Sequence, residues 1–505
     1  MMDSNGAHTS SSSESRKRPY PPPVEILEAD REKESPQSTQ ATPKKQCNSS
    51  PPHTPRHRRS KVHVDPAVAL DAWNSSPRSL DFATSPREEY AGMKTASQFD
   101  FDNNLPQDSD ALSRFRDTTA VARTTSKTWI QAGPEHGIDV VDWAVHEDKH
   151  TTLNDPVAPQ SVSLSLLVNI YYPTYDDAPE RTYVWDGLSA TYDTYYGLPN
   201  GTFGNITANL AFNAKPLSRK ESDKLHLPTL LFGPAFAGPP SRFFTGLISE
   251  MTSRGYPVVT VDHPWEAPYI EYPNGTAFTG HDVTWSPCTS VIDAAHAYRL
   301  TDNSAVLDAL PEISKELGIP LDLNHFALFG HSLGGSAAVS QLLVERNRTA
   351  LRGKKFLGAI NIDGSFFGIG ATNSSSVDVH VPSLLLSSGR YLDPSWAVFE
   401  SYQSSWVKGF RILGHSNHTD FSDLIFLKQA NGIAGGEGAI TAERFLQVSR
   451  TMVSAFFGLL VGKGEGVLSG SAEVQEAFPE VTFDYNGTGN PCRPAELCWE
   501  IPQGC

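Results

Sequence analysis

The sequence predicts an α/β fold: a mostly parallel central sheet with helices on both faces, preceded by a disordered N-terminal region. Three observations predict it. Short apolar runs alternate with stretches of helical spacing between about residues 227 and 461. Those runs are apolar on consecutive positions, as expected where both faces of a sheet are covered. One of them, His325-Phe326-Ala327-Leu328-Phe329, leads directly into Gly330-His331-Ser332-Leu333-Gly334-Gly335 and then an alanine- and leucine-rich stretch.

The elements follow in order. Ser161 to Tyr172 alternates like an antiparallel strand and stops at Pro173. An aromatic, turn-rich insertion follows, with Tyr183-Val184-Trp185 and Tyr192-Asp193-Thr194-Tyr195-Tyr196. Leu227 to Phe232 reads as a buried strand that enters the loop Gly233-Pro234-Ala235-Phe236-Ala237-Gly238. Arg242 to Arg254 is helical, Tyr256 to Asp262 a strand, and Ser290 to Leu310 a helix. After Ser332 come a helix from Ser336 and strands over Phe356 to Asp363, Pro382 to Ser387 and Val407 to Leu413. A helix from about Thr441 to Val461 closes the core.

Composition sets the domain limits at 1–126 (disordered, low-complexity), 127–490 (catalytic domain) and 491–505 (a cysteine-containing tail). The first region contains Ser10-Ser11-Ser12-Ser13, Pro21-Pro22-Pro23 and Arg56-His57-Arg58-Arg59, and it has too little apolar surface to offset the entropy of ordering. Its basic clusters read as solvated charge. A net charge of −16 argues against nucleic acid as the main partner. No apolar run reaches the roughly eighteen residues that a bilayer span needs, and the first residues lack the apolar core of a secretory leader. Cys288, Cys492, Cys498 and Cys505, with N-x-S/T triplets at Asn200, Asn205, Asn274, Asn347, Asn373, Asn417 and Asn486, point instead to a secreted glycoprotein. The two signals leave the compartment unknown.

G-x-S-x-G between a strand and a helix is the setting of a nucleophile elbow, in which Ser332 projects from a tight turn; the plain alternative is a helix-capping serine. A serine hydroxyl needs a histidine to take its proton and an acid to orient that histidine. His418 and His415 both follow the last strand, and His418, in His418-Thr419-Asp420-Phe421-Ser422-Asp423, is preferred. Asp363 and Asp393 both follow strands beyond the elbow, and spacing does not separate them. His263 precedes the serine and reads as structural. Phe366 and Phe367 are candidates for an acyl pocket, with core packing as the plainer role.

Taken together, Phe232-Gly233-Pro234-Ala235-Phe236-Ala237, Val261-Asp262-His263-Pro264, the Ser332 motif, Asn361-Ile362-Asp363-Gly364 and His418-Thr419-Asp420-Phe421-Ser422-Asp423 occur in an order that resembles the platelet-activating factor acetylhydrolase family, of the plasma and intracellular type II kind. Ile170-Tyr171-Tyr172-Pro173 extends the likeness, which spans about Thr151 to Leu427. The resemblance implies the α/β-hydrolase fold and calcium-independent serine esterase chemistry without cofactor or metal. It implies Ser332 as nucleophile, Asp363 rather than Asp393 as acid and His418 as base, with the backbone N–H groups of Leu333 and Phe236 as oxyanion hole. The implied partner is a phospholipid with a short or oxidised sn-2 acyl group, met free or at a lipid surface. Broader esterases, lipases and polyester hydrolases, and a catalytically dead binding protein on the same scaffold, are the alternatives. One departure stands out: the family's oxyanion loop is glycine-rich, whereas this one carries Pro234, Ala235 and Ala237.

Overall fold

The computed structural model describes the strands Thr128–Ile130 and Ile138–Ala144 and most of residues 155–487. The low-complexity region up to residue 126 and the tail at 491–505 lie outside the described residues.

A nine-stranded sheet forms the frame. In chain order its strands are β1 (Ile138–Ala144), β2 (Ser165–Tyr171), β3 (Thr229–Gly233), β4 (Val258–Asp262), β5 (His325–His331), β6 (Lys355–Ile362), β7 (Ser383–Ser388), β8 (Val407–Ile412) and β9 (Val481–Gly487). Across the sheet they run β9-β8-β7-β6-β5-β3-β4-β2-β1. The inner strands from β8 to β4 are parallel. β2 runs antiparallel to β4 and to β1, as its alternating sequence implied. The edge strand β9 pairs antiparallel with β8 and was not read from the sequence, although Val481-Thr482-Phe483-Asp484-Tyr485 alternates as a strand does.

The two-residue side-chain period of a strand divides the core between two layers. Leu230, Phe232, Ala327 and Phe329 pack into one cluster, and Leu231, Phe326 and Leu328 into the other. Five of the helices are α1 (Asp186–Tyr196), α2 (Thr245–Ser253), α3 (Thr289–Leu317), α4 (Leu333–Thr349) and α5 (Ala442–Leu460). α2 and α5 cover the first layer, and α3 and α4 the second. Burying aliphatic side chains on both sides explains the continuous apolar runs of β3, β4 and β5.

Two boundaries differ from the sequence reading. The aromatic insertion holds α1, because Tyr192 packs its ring 4.5 Å from Phe243. The Asp193 carboxylate beside it accepts the Gly201, Thr202 and Phe203 N–H groups, closing the loop after the helix. The second difference lies in α3, which runs through Pro311. A proline has no N–H for the carbonyl four residues back, here that of Leu307. The Lys354 ammonium supplies the missing donor at 2.7 Å.

Lys354→Met is therefore expected to lower stability by about 1–3 kcal/mol, since it leaves a buried carbonyl unpaired. Pro311→Ala in the same background should recover part of that loss; denaturant unfolding of the two variants and the wild type measures it.

Candidate active site

Ser332 lies between β5 and α4 with φ +58°, in the left-handed region that costs a non-glycine residue about 1–2 kcal/mol. The flanking glycines explain how the chain holds it there. A Cβ at Gly330 would collide with the Gly334 backbone, and one at Gly334 with the Gly233 carbonyl at the end of β3. The elbow is thus wedged against the neighbouring strand. The Ser332 N–H donates to the Ile362 carbonyl at 2.8 Å, tying the turn to the end of β6.

Asp363 follows immediately, also at positive φ (+56°). Its Oδ2 accepts the Nδ1–H of His418 at 2.7 Å, and its Oδ1 accepts the Ser388 N–H at 2.7 Å and the Ser387 hydroxyl at 3.0 Å. Burial pushes this carboxyl upward, but the His418 hydrogen bond and charge, with the Ser388 N–H, outweigh it and hold the pKa below the ordinary carboxylate value. His418 opens a short turn, His418–Phe421, after β8. Lys428 fixes that turn by donating to the Thr419 hydroxyl at 2.6 Å, and Asp420 Oδ2 accepts the Asn417 N–H at 2.6 Å.

His331, inside the G-x-S-x-G motif, has a part that the motif alone did not suggest. Its Nε2 lies 2.7 Å from the His418 carbonyl, so Nε2 must carry the proton. Its ring packs 4.5 Å from the His418 ring and 5.4 Å from Phe244. Burial, then the nearby His418 charge, pushes its pKa down to about 3, leaving a neutral imidazole. Ligand-type atoms of His331, Asp363 and His418 lie within 4.8 Å of one another. Within that set the His418 Nδ1–H donates to Asp363 and the His331 Nε2–H to the His418 carbonyl.

The loop after β3 is the other half of the site. Arg299 on α3, 1% exposed, donates to the Pro234 carbonyl at 2.6 Å and the Ala235 carbonyl at 3.1 Å, and its Nε donates to Glu266 at 2.8 Å. The Ala235 carbonyl and the Phe236 N–H share one planar trans peptide, so they point in opposite directions. Holding the carbonyl on Arg299 turns the N–H away from it. Among the described residues, neither the Phe236 nor the Leu333 N–H has a hydrogen-bond partner. Phe236, Ala237, Ala295 and Leu333 pack together in one small apolar cluster, with Ala237 at φ +50°. Alanine thus adopts the conformation that glycine would take without strain.

The remaining candidates separate. Asp393 caps the helix Pro394–Ser401 by accepting the Ser395 N–H at 2.8 Å, and no hydrogen bond among the described residues joins it to His418. His415 lies outside the described residues. His263 and Asp302 form a buried pair at 2.7 Å, the structural place expected for His263. Phe366 stacks on Phe399 at 4.4 Å in the core, whereas Phe367 packs against the Phe236–Leu333 cluster. Cys288 is exposed with a free thiol; Cys492, Cys498 and Cys505 lie outside the described residues. Asn200, Asn205, Asn347 and Asn373 are exposed, but Asn417 is buried beneath the His418 turn and has no room for a glycan.

With this geometry in place, likeness to known proteins becomes informative. A probable 1-alkyl-2-acetylglycerophosphocholine esterase of Arthroderma benhamiae is 30% identical over 282 residues, covering 52% of this chain and 67% of that protein. A ferulic acid esterase from Streptomyces cinnamoneus aligns with 71% of this chain and 100% of its own at a TM-score of 0.56 and 24% identity, a likeness of fold. No family model matches the chain. The protein is an ester hydrolase with the α/β-hydrolase fold. It belongs to the platelet-activating factor acetylhydrolase family.

Two outcomes follow from these contacts. Replacing His331 by glutamine keeps an N–H for the His418 carbonyl but removes the titrating ring. Because the folded pKa of His331 (about 3) lies below the unfolded value of about 6.5, its contribution to stability is present above pH 6.5 and is lost as the pH falls toward 3. The stability difference between wild type and His331→Gln should therefore shift against the wild type by up to about 1.4 kcal/mol per pH unit below 6.5, read from unfolding at several pH values. Arg299→Met leaves Glu266 buried without its cation and should destabilise by about 3–5 kcal/mol, part of which Glu266→Gln restores in the double variant.

Proposed function

We propose that the protein is a serine hydrolase that cleaves the short or oxidised sn-2 acyl ester of phospholipids through an acyl-enzyme. The observation that carries this reading is the 2.7 Å bond from His418 to Asp363 beside a serine held at φ +58°. His418, kept in one tautomer by Asp363, takes the Ser332 proton as the hydroxyl attacks the acyl carbonyl. The N–H groups of Leu333 and Phe236 receive the negative charge that develops on the carbonyl oxygen; removing one such donor typically lowers the rate about 10²–10³-fold. His418 then passes its proton to the departing alcohol oxygen, leaving the acyl group on Ser332. Water, deprotonated by His418, adds to that acyl carbon, and the Ser332 oxygen leaves as it takes that proton back from His418, releasing the carboxylic acid.

The kind of phospholipid rests on family membership and on the name of the Arthroderma relative. No step uses a metal, so calcium independence belongs to the same proposal. The catalytic unit is residues 127–490, with the region before it and the tail after it outside the chemistry.

Ser332→Ala should abolish hydrolysis of 1-alkyl-2-acetylglycerophosphocholine and labelling by a fluorophosphonate probe. Asp363→Asn should lower kcat by about 10⁴, while Asp393→Asn retains wild-type turnover. Equal losses at 363 and 393, or labelling that survives Ser332→Ala, would overturn the assignment.

A further inference from the structure

A chamber of about 490 Å³ lies beside the His418 turn, within the size range of small-molecule sites. α1 contributes Tyr192, Tyr195 and Tyr196 to its lining, joined by Pro239, Thr419 and Leu424. Two of these residues adjoin the chemistry: Thr419 follows His418 directly, and Pro239 lies three positions beyond Phe236. We propose that this chamber binds the apolar chain carried by the alcohol half of the ester, and so sets the preference for the leaving group. The inference rests on the serine-esterase reading above and adds to it which half of the substrate is recognised, and where.

Three observations support the assignment. The first is one of sides. The imidazole must reach the departing oxygen to protonate it, so the alcohol half lies on the His418 side of the scissile bond. Phe236 and Leu333 pack in a separate apolar cluster that shares no residue with the chamber's lining. The second is rigidity. Tyr192 is braced on Phe243 at 4.5 Å, and Tyr196 stacks on Phe203 at 6.0 Å with 8° between the rings. The wall is formed before a ligand arrives, which limits the entropy lost on binding. The third concerns chemistry. The three tyrosine rings pack on one another, with centroids 4.9–6.4 Å apart, and with Pro239, Pro268 and Leu424 they give the chamber a largely apolar lining. Asp282 also lines it and disfavours an anion there. An uncharged chain matches that lining.

Two ester series test this in the full-length protein. In n-alkyl acetates from ethyl to decyl only the alcohol grows; in ethyl esters from acetate to decanoate only the acyl group does. For the wild type, kcat/KM should climb along the first series, by up to about fourfold per methylene, and more steeply than along the second. Ala190, exposed on α1 and lining the same chamber, gives the variant. Ala190→Leu should lower the ratio of decyl acetate to ethyl acetate kcat/KM by at least about tenfold and leave the ratio of ethyl decanoate to ethyl acetate in place. A wild-type rate indifferent to alcohol length, or a variant that alters the acyl series instead, would overturn the chamber's role while leaving the esterase intact. Absence of Ser332-dependent turnover on every ester would remove the esterase reading, and this inference with it.

Discussion

The site depends on how closely two pieces of backbone approach each other. The end of β3 and the start of α4 meet with no room for a side chain at Gly330 or Gly334, and that contact holds Ser332 in a conformation an isolated chain would avoid. The strain is local and the restraint is distributed. Parallel pairing of β5 with β3 on one side and β6 on the other fixes both flanks of the turn before the side chain is considered. Three consecutive parallel strands therefore deliver their following loops to the same edge of the sheet, the usual place for chemistry in α/β proteins.

Those loops are then fastened to one another through backbone atoms. The Ser332 N–H is bound to the residue preceding Asp363, and the His331 ring to the carbonyl of His418. Each residue of the proposed relay is thus held through a neighbour as well as through its own side chain. Burial at this edge also selects protonation states. His331 stays neutral because a buried imidazolium lacks compensation, whereas Asp363 stays ionised because His418 and Ser388 donate to it. One imidazole is left as a neutral donor to the His418 carbonyl, and the other donates to Asp363.

The loop after β3 is held by a side chain from a distant helix. With proline and alanine at 234, 235 and 237, the turn has less freedom of its own. The guanidinium of Arg299, on a helix more than sixty residues later, grips two successive carbonyls. A planar fork suits that task, since it offers several fixed donors at once. Glu266 supplies the counter-charge that keeps Arg299 tolerable in the interior.

The layered parallel sheet and the position of the elbow were legible in the sequence, because continuous apolar runs and glycine spacing are local consequences of burial and backbone sterics. So was the ordered set of motifs that marks the family. Other features were settled only by contacts between distant segments. Asp363 and Asp393 both follow strands beyond the elbow and spacing does not separate them; the family resemblance favours the first, and the tertiary structure puts it against His418 and the second at a helix cap. α1 forms because Phe203 and Phe243 give its tyrosines a surface, and α3 continues through Pro311 because Lys354 reaches the orphaned Leu307 carbonyl. Patterns of spacing record what each segment does with its own backbone. Which acid meets the histidine, and what holds the loop that faces it, are decided where segments separated by dozens of residues touch.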